Sequence, residues 1–332
     1  MKKVSLILIT VFNLLLLSCN CDESPLMNQI TFDNVEILRD VLPSEFCDAV
    51  RFSSQNTAYT ITNNGKIFKT EDEGNTWVQQ NSGTEIHLYD MFFLDDLHGY
   101  IVGGAKDEGL ILKTTDGGNT WSSMNFQDEL NSIYFINETS GFAAGGKLFK
   151  TQDGGETWNE VNLGFFKYQK INFFDRETGL LAATDPETLQ LVVFKTIDGG
   201  IHWIKLNNIN FGLNTIHKIQ IVDGIAYLFA SGGKIFKTPD MGNTWQVITT
   251  PGLNSGYFIN ERQAIGVGQW WYTSGYFPEG IFYLTNDGWK HWEEKHTKGV
   301  EEFFSIEDID FYNDSTALAV GNTGGCVIRL RF

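Results

Sequence analysis

Apolar and polar positions along this chain repeat at intervals of a little over forty residues. Six times a short apolar run leads into a polar, Gly-containing turn and then into a Trp. The runs are Ile67-Phe68, Leu110-Ile111-Leu112, Leu148-Phe149, Val192-Val193-Phe194, Ile235-Phe236 and Ile281-Phe282-Tyr283. Their length and their content of Ile, Val and Phe are those of strands. The Trp residues that follow, Trp77, Trp121, Trp158, Trp203, Trp245 and Trp292, lie 44, 37, 45, 42 and 47 residues apart. Four short strands fit in each interval, and four strands per repeat at this spacing make a blade of a β-propeller. In the second repeat the inner strand is predicted over 87–93, the next over 99–102, the third over 110–114 and the outer one from Trp121.

The turns share one chemistry. They read T-x-D-x-G-x-T-W or close to it, with the carboxylates of Asp72, Asp116, Asp153, Asp198, Asp240 and Asp287 at the same place. A short carboxylate accepts hydrogen bonds from N–H groups of its own loop, and Gly supplies positive φ. The Trp then opens the next strand, where its ring can be buried between sheets. A unit that occurs six times is read as structure, because a catalytic site is needed once. The last copy departs from the pattern, with Trp289 in the Gly place and His291 in the second Thr place.

Forty residues follow Trp292. They hold three strand-like runs, at 306–311, 316–320 and 327–330, and no further Asp turn. The fourth strand of this last blade is expected from residues 29–38, which precede a first inner strand near Phe46. Pairing the two ends this way removes two exposed strand edges. The fold class is therefore all-β: a single seven-bladed β-propeller of four-stranded antiparallel blades over residues 30–332, closed by an N-terminal strand.

The turn motif resembles the Asp-box, or bacterial-neuraminidase repeat, of sialidases, xyloglucanases and sortilin-type receptors. The wider frame at 91–121, MFFLDDLHGYIVGG…GLILKTTDGGNTW, and again at 133–158, is similar to the photosystem II stability/assembly factor family. The resemblance covers nearly the whole of the chain after residue 29. It implies the propeller and, outside photosynthesis, an extracytoplasmic binding or assembly protein. A sialidase of this class is expected to hold its substrate with three Arg and to use a Tyr nucleophile. This chain has six Arg in all and no Phe-Arg-Ile-Pro segment before the first blade. Xyloglucanases with this repeat are expected to use a cleft between two propellers, and one propeller is read here. A new carboxylate pair for hydrolysis would be sought among Asp107, Glu108, Asp185 and Glu187.

The N-terminus reads as an export segment. Lys2 and Lys3 precede an apolar stretch over 4–17 of signal-peptide length. It ends in Leu16-Leu17-Ser18-Cys19, which resembles a lipobox. Residues 1–18 are thus expected to be removed, Cys19 to be lipidated, and 19–29 to form a polar tether. The expected location is the cell envelope, with the membrane reached only through the lipid. The formal charge of −17 falls to about −19 without Lys2 and Lys3. Nucleic-acid binding needs a basic surface, so this balance argues against it. Cys47 and Cys326 lie near the two ends of the ring and could pair in an oxidising compartment, but sequence does not supply the geometry. No spacing of Cys or His marks a metal site, and no cofactor is implied.

In such a ring the Asp turns join the third and fourth strands and share one face. The opposite face carries the loops that enter the inner strands and those between second and third strands, and function is sought there. Three of the latter loops are longer than the rest, at 105–108, 184–188 and 268–280. The last holds Trp270, Trp271, Tyr272, Tyr276 and Phe277, aromatics that suit stacking on a sugar ring or a protein contact. His87, Asn131, Tyr168, Lys170, His217 and Glu307 fall on or beside inner strands and are the candidates to line the channel. The function expected is a non-enzymatic module that binds a protein partner in the envelope. A glycan-binding or glycoside-hydrolase role is the alternative.

Overall fold

The computed structural model describes residues 30–31, 35–43, 45–164, 167–207, 209–270, 279–297, 305–313, 315–322 and 327–331. Seven four-stranded antiparallel sheets are arranged as blades. Their inner strands are β2 (Cys47–Phe52), β6 (Leu88–Phe93), β10 (Leu130–Phe135), β14 (Lys167–Phe173), β18 (Ile216–Val222), β22 (Ser255–Phe258) and β26 (Ser305–Asn313). Each touches the next, and β22 and β2 both touch β26, so the ring is closed. In the second blade β6 is followed by β7 (Gly99–Ala105), β8 (Glu108–Thr114) and β9 (Ser122–Phe126), in line with the sequence pattern.

Closure takes the expected form. Strand β1 (Val35–Leu38) is the outer strand of the seventh blade and pairs with β28 (Val327–Arg331), Val35 opposite Leu330 and Leu38 opposite Val327. Arg329 locks this seam. Its guanidinium donates to Glu36 Oε2 at 2.6 Å, to the Glu73 carbonyl at 3.1 Å and to Asn75 Oδ1 at 3.0 Å, joining the seventh blade to the first. Upstream, Ile30 exchanges two hydrogen bonds of 3.1 Å with the Asn286 side chain in the sixth Asp turn. Cys47 is buried with a free thiol, which burial pushes up to about 12. Cys326, the signal peptide and the lipobox lie outside the described residues.

The Asp turns are built as their sequence suggests. In the second, Thr114 Oγ1 donates to Asp116 Oδ1 at 2.9 Å and accepts from Gly118 N at 2.9 Å. Asp116 also accepts from Thr120 N at 2.9 Å and Thr120 Oγ1 at 2.7 Å. The same bonds hold Asp153, whose carboxyl the Thr157 hydroxyl and N–H lower to about 2. In the fourth and sixth turns His202 and His291 take the second Thr place, and their Nδ1 atoms meet Asp198 and Asp287 at 2.7 and 2.6 Å. Each acid is satisfied within its own turn.

The conserved shape of the turn also depends on the blade before it. Gly118 has φ 81°, and a Cβ there would sit 3.1 Å from the ring of Tyr59. Tyr59 itself donates its hydroxyl to the Gly117 carbonyl at 2.8 Å, and Tyr100 bonds Gly154 in the same way at 2.8 Å. Trp121, Trp158, Trp203 and Trp245 pack, half-buried, against the cores between blades, as does Trp77.

The sixth turn breaks the rule for Trp. Trp292 is 40% exposed, whereas Trp289, in the Gly place with φ 67°, is 4% exposed. Its indole fits because the facing strand carries Gly266, where a Cβ would lie 2.8 Å from the ring. Leu253 and Tyr227 complete the pocket around it. The wedge has moved three residues back.

Restoring the repeat residue should therefore harm this blade. Trp289→Gly is expected to lower stability by about 3 kcal/mol, because a buried large aromatic is lost, despite relief of a positive φ. Trp292→Ala should cost less than about 1 kcal/mol as a surface change. Urea unfolding of both variants checks the assignment, and the reverse order of costs would refute it.

Candidate functional site

The inner strands do not run evenly into the channel. Six of the seven carry a β-bulge at one level, between Cys47 and Ala49, Leu88 and Asp90, Leu130 and Ser132, Tyr168 and Lys170, Ile216 and Lys218, and Ile306 and Asp308. A bulge inserts one residue and re-aims side chains. The inserted residues are Asp48, Tyr89, Asn131, Gln169, His217 and Glu307, and all six line one cavity of about 460 Å³. It opens where the chain enters the inner strands, on the face opposite the Asp turns.

Below this row lies a cluster of charges. Asp308 is paired with Arg51, lies 3.5 Å from Lys218 Nζ and accepts from Ser255 Oγ at 2.6 Å. Asp90 pairs with Lys170 at 3.2 Å and with Arg51 at 3.5 Å. Burial opposes the ionised form of Asp308, but Arg51 and Lys218 outweigh it and hold the carboxyl well below its ordinary range. Arg51, Asp90, Lys170, His217 and Lys218 also border a second cavity of about 300 Å³ toward the Asp-turn face. The cluster is thus the waist between the two mouths.

Polar side chains at the strand edges have a further task. Neighbouring inner strands do not form a ladder with each other, so their edge groups need other partners. Gln169 accepts from Ile216 N at 2.7 Å, Gln220 from Phe258 N at 2.7 Å, and Asp310 from Phe52 N at 2.9 Å. Asn172 donates to the Ile219 carbonyl at 2.9 Å. These residues stitch each blade to the next.

Of the sequence candidates, Asn131, Lys170, His217 and Glu307 line the 460 Å³ cavity. His87 stands beside it, 3.1 Å from Asp48 and with its ring 4.1 Å from that of Tyr89. Tyr168 is a correction. It is 2% exposed in the core between the third and fourth blades, and burial pushes its hydroxyl up to about 12. The bulge is the cause, since it gives the channel to Gln169 and turns Tyr168 inward. Asp48, Tyr89 and Gln169 were missed for the same reason. Alternation of period two does not reveal an inserted residue.

The side chains at the mouth differ in what remains free. Asn131, His217 and Tyr89 make no side-chain hydrogen bond among the described residues. Burial, and then Lys170, lower the His217 pKa and favour the neutral ring. Burial raises the Glu307 carboxyl, against a hydrogen bond from Ser305, with Asp48 and Asp308 adding to the rise. The mouth offers the neutral side chains of Tyr89, Asn131, Gln169 and His217 beside the carboxyls of Asp48 and Glu307, above charges that already neutralise one another. Among the described residues no three His, Cys, Asp or Glu side chains converge as a metal site.

The longer loops resolve unevenly. Residues 105–108 form a tight hairpin, with Ala105 opposite Glu108, so this is an extended strand pair and not a loop. Asp185 caps its own turn, accepting from Glu187 N at 3.1 Å and Thr188 N at 3.2 Å, and lies 3.4 Å from Lys205 Nζ. The Thr188 N–H, chief among these contacts, lowers its carboxyl, which suits a structural acid and not a proton donor. In the sixth blade β23 (Ala264–Trp270) and β24 (Glu279–Thr285) stay paired up to Trp270 opposite Glu279. Trp271, Tyr272, Tyr276 and Phe277, and the side chain of Trp270, lie outside the described residues.

The sequence pattern of the photosynthesis system II assembly factor YCF48 family matches residues 75–164 and 122–266. No curated protein matches the chain in sequence. Among solved structures, one of YCF48 bound to D1 peptide is 16% identical with a TM-score of 0.64, over 92% of this chain and 99% of that one. YCF48 from Cyanidioschyzon merolae is 14% identical with a TM-score of 0.65, over 90% and 98%. A GH74 enzyme from Niastella koreensis is 14% identical with a TM-score of 0.68, over 87% of this chain but 53% of that one. At these identities the likeness is one of fold.

The waist makes a direct prediction. Arg51→Ala leaves Asp308 buried without its main partner and should cost about 3–5 kcal/mol. The pH dependence should weaken as well. In the native chain the depressed pKa of Asp308 contributes stability in full above about pH 4 and loses it as pH falls. In the variant, burial is opposed chiefly by Lys218 and the Ser255 hydroxyl, so the pKa moves back up and less stability is lost as pH falls from about 7 to 3. Thermal unfolding across pH 3–7 checks this, and an unchanged profile would remove the role given to the pair.

Proposed function

The chain belongs to the photosynthesis system II assembly factor YCF48 family, and from that premise we propose that it is a non-enzymatic, protein-binding assembly module of the cell envelope. The polar mouth opposite the Asp turns would take an exposed polypeptide segment of a partner. The observation that carries this reading is the bulge row, with Asn131, His217 and Tyr89 unspent above a closed ion cluster. A cavity of this size is within the range of ligand pockets, and neutral donors and acceptors suit peptide groups. One YCF48 structure holds a D1 peptide, which supports a peptide as the class of ligand without identifying this chain's own.

Two further parts of the reading rest on sequence. Cys19 would carry a lipid after removal of residues 1–18, holding the ring at a membrane. The aromatics Trp270, Trp271, Tyr272, Tyr276 and Phe277 would extend the binding rim, since β23 and β24 end on the mouth's face. A hydrolase role has weaker support. Asp185 is spent on its own turn, and likeness to GH74 enzymes at 14% identity concerns the fold alone.

The test is affinity capture from detergent-solubilised envelope with the lipidated chain, compared with an Asn131→Ala/His217→Ala variant. Among the described residues neither side chain makes a hydrogen bond, so the ring should stay folded. Capture of a polypeptide partner, weakened about tenfold in the variant (~1.4 kcal/mol), is expected. Equal capture by both forms would sink the assignment of the mouth. Hydrolysis of a glycan by the purified chain would sink the non-enzymatic reading.

A further inference from the structure

The fourth Asp turn differs from the others in one respect. Its three outward positions are Ile197, Ile201 and Ile204, exposed by 62, 67 and 63%. The equivalent residues of the third turn are Gln152, Glu156 and Asn159, and those of the second are Thr115, Asn119 and Ser122. Val78 of the first turn, 63% exposed, stands in the place of Ile204 and Pro239 of the fifth in that of Ile197, but no other turn carries apolar residues at all three positions, and three exposed isoleucines together are costly without an occupant. Met241 of the fifth turn is 38% exposed, and that turn lies against the fourth blade, where Lys195 Nζ is 3.4 Å from Asn243 Oδ1. Leu97, 53% exposed in a first-to-second-strand turn of the second blade, lies on the same face and accepts from Gly117 N.

The chain also enters the ring from this face. Strand β1 starts opposite Leu330, at the end of β28 where Arg331 pairs with Thr316, the first residue of β27 (Thr316–Asn322). That end of the blade is the end that carries the Asp turns in the other six. Ile30 is pinned there by Asn286 of the sixth turn. Ten residues lie between Cys19 and Ile30, and even a fully extended chain over that span reaches only about 40 Å.

We propose that the Asp-turn face lies on the bilayer, with Ile197, Ile201, Ile204 and Met241 entering the lipid interface and the polar mouth turned away from it. The inference rests on the lipidation of Cys19 in the reading above. The tether enters the ring on this face, and its entry point selects it. Isoleucine and methionine side chains bring apolar area to the interface without positive charge. The recognised surface is a zwitterionic bilayer, because the net charge, about −19 once Lys2 and Lys3 are removed, opposes an anionic one. Burying the four side chains adds a second contact to the lipid anchor, and two contacts on one chain reinforce each other.

The experiment is hydroxyl-radical footprinting of the full lipidated chain, in phosphatidylcholine vesicles and in detergent-free soluble form after enzymatic release from the lipid. Mass spectrometry of the N-terminal peptide is read first. Lipid on Cys19, with at least threefold protection of Ile201 and Met241 in vesicles and none at Leu213 on the mouth face, is the expected result. Replacing the triad by the residues of the third turn, Ile197→Gln/Ile201→Glu/Ile204→Asn, should abolish the protection of Met241. Lipid on Cys19 with equal modification of both faces would overturn the inference while leaving the anchor intact. No lipid on Cys19 would overturn the anchor and this inference with it. Protection in native membranes but not in phosphatidylcholine vesicles would assign the face to a protein and overturn it too.

Discussion

Seven inner strands stand side by side around a channel without forming a common ladder, and the molecule must satisfy the edges this leaves. Polar side chains do so. Gln169, Gln220, Asp308 and Asp310 each accept a backbone N–H from a neighbouring inner strand, and Asn172 and Asn254 donate to carbonyls. Filling the channel wall with amides and carboxylates then forces a second condition. Buried carboxylates need cations, and Arg51, Lys170 and Lys218 supply them at the waist. A buried ion cluster is poor at adding stability but fixes which groups must meet. The channel is therefore divided at its waist by its own charge pairs, and the mouth above them is the larger of the two spaces that border the cluster.

The outer half of each blade answers to a different constraint. The Asp turn has two consecutive residues at positive φ, such as Gly117 and Gly118, or Glu73 and Gly74. Its carboxylate holds them there through the flanking Thr or His. The preceding blade presses Tyr59, Tyr100 or Phe142 against the turn, so the second of the two positions is a Gly. The sixth turn shows the reverse solution. Trp289 accepts the strained backbone, and the missing side chain is moved to Gly266 across the sheet. Strain and packing are exchanged between two residues, and Trp292 is freed to the surface.

The two regions were legible to different degrees. The ring, its seven blades, the strand that closes it and the self-contained Asp turns could all be read from the spacing of Trp and from Thr, Asp and Gly in fixed order. Those signals are local and repeated. The mouth was only partly legible, because a bulge leaves no mark in a pattern of alternation. Asn131, Lys170, His217 and Glu307 were found as polar residues in apolar strands. Tyr168 was misplaced by one residue, and its neighbour Gln169, with Asp48 and Tyr89, was missed. The common level of the bulges was the hidden signal: the residues two before Ala49, Asp90, Ser132, Lys170, Lys218 and Asp308 are Cys47, Leu88, Leu130, Tyr168, Ile216 and Ile306. An apolar residue, then the inserted one, then the next channel residue recur six times.

The account turns on one claim, that the bulge row holds a polypeptide. It is tested most directly by a photoreactive amino acid placed in living cells at Tyr89, in the row, and separately at Glu156, on the exposed face of the third Asp turn. The account predicts a discrete crosslink to a polypeptide from position 89 and none to that polypeptide from position 156. The same adduct from both positions, or an adduct from 156 alone, would contradict it.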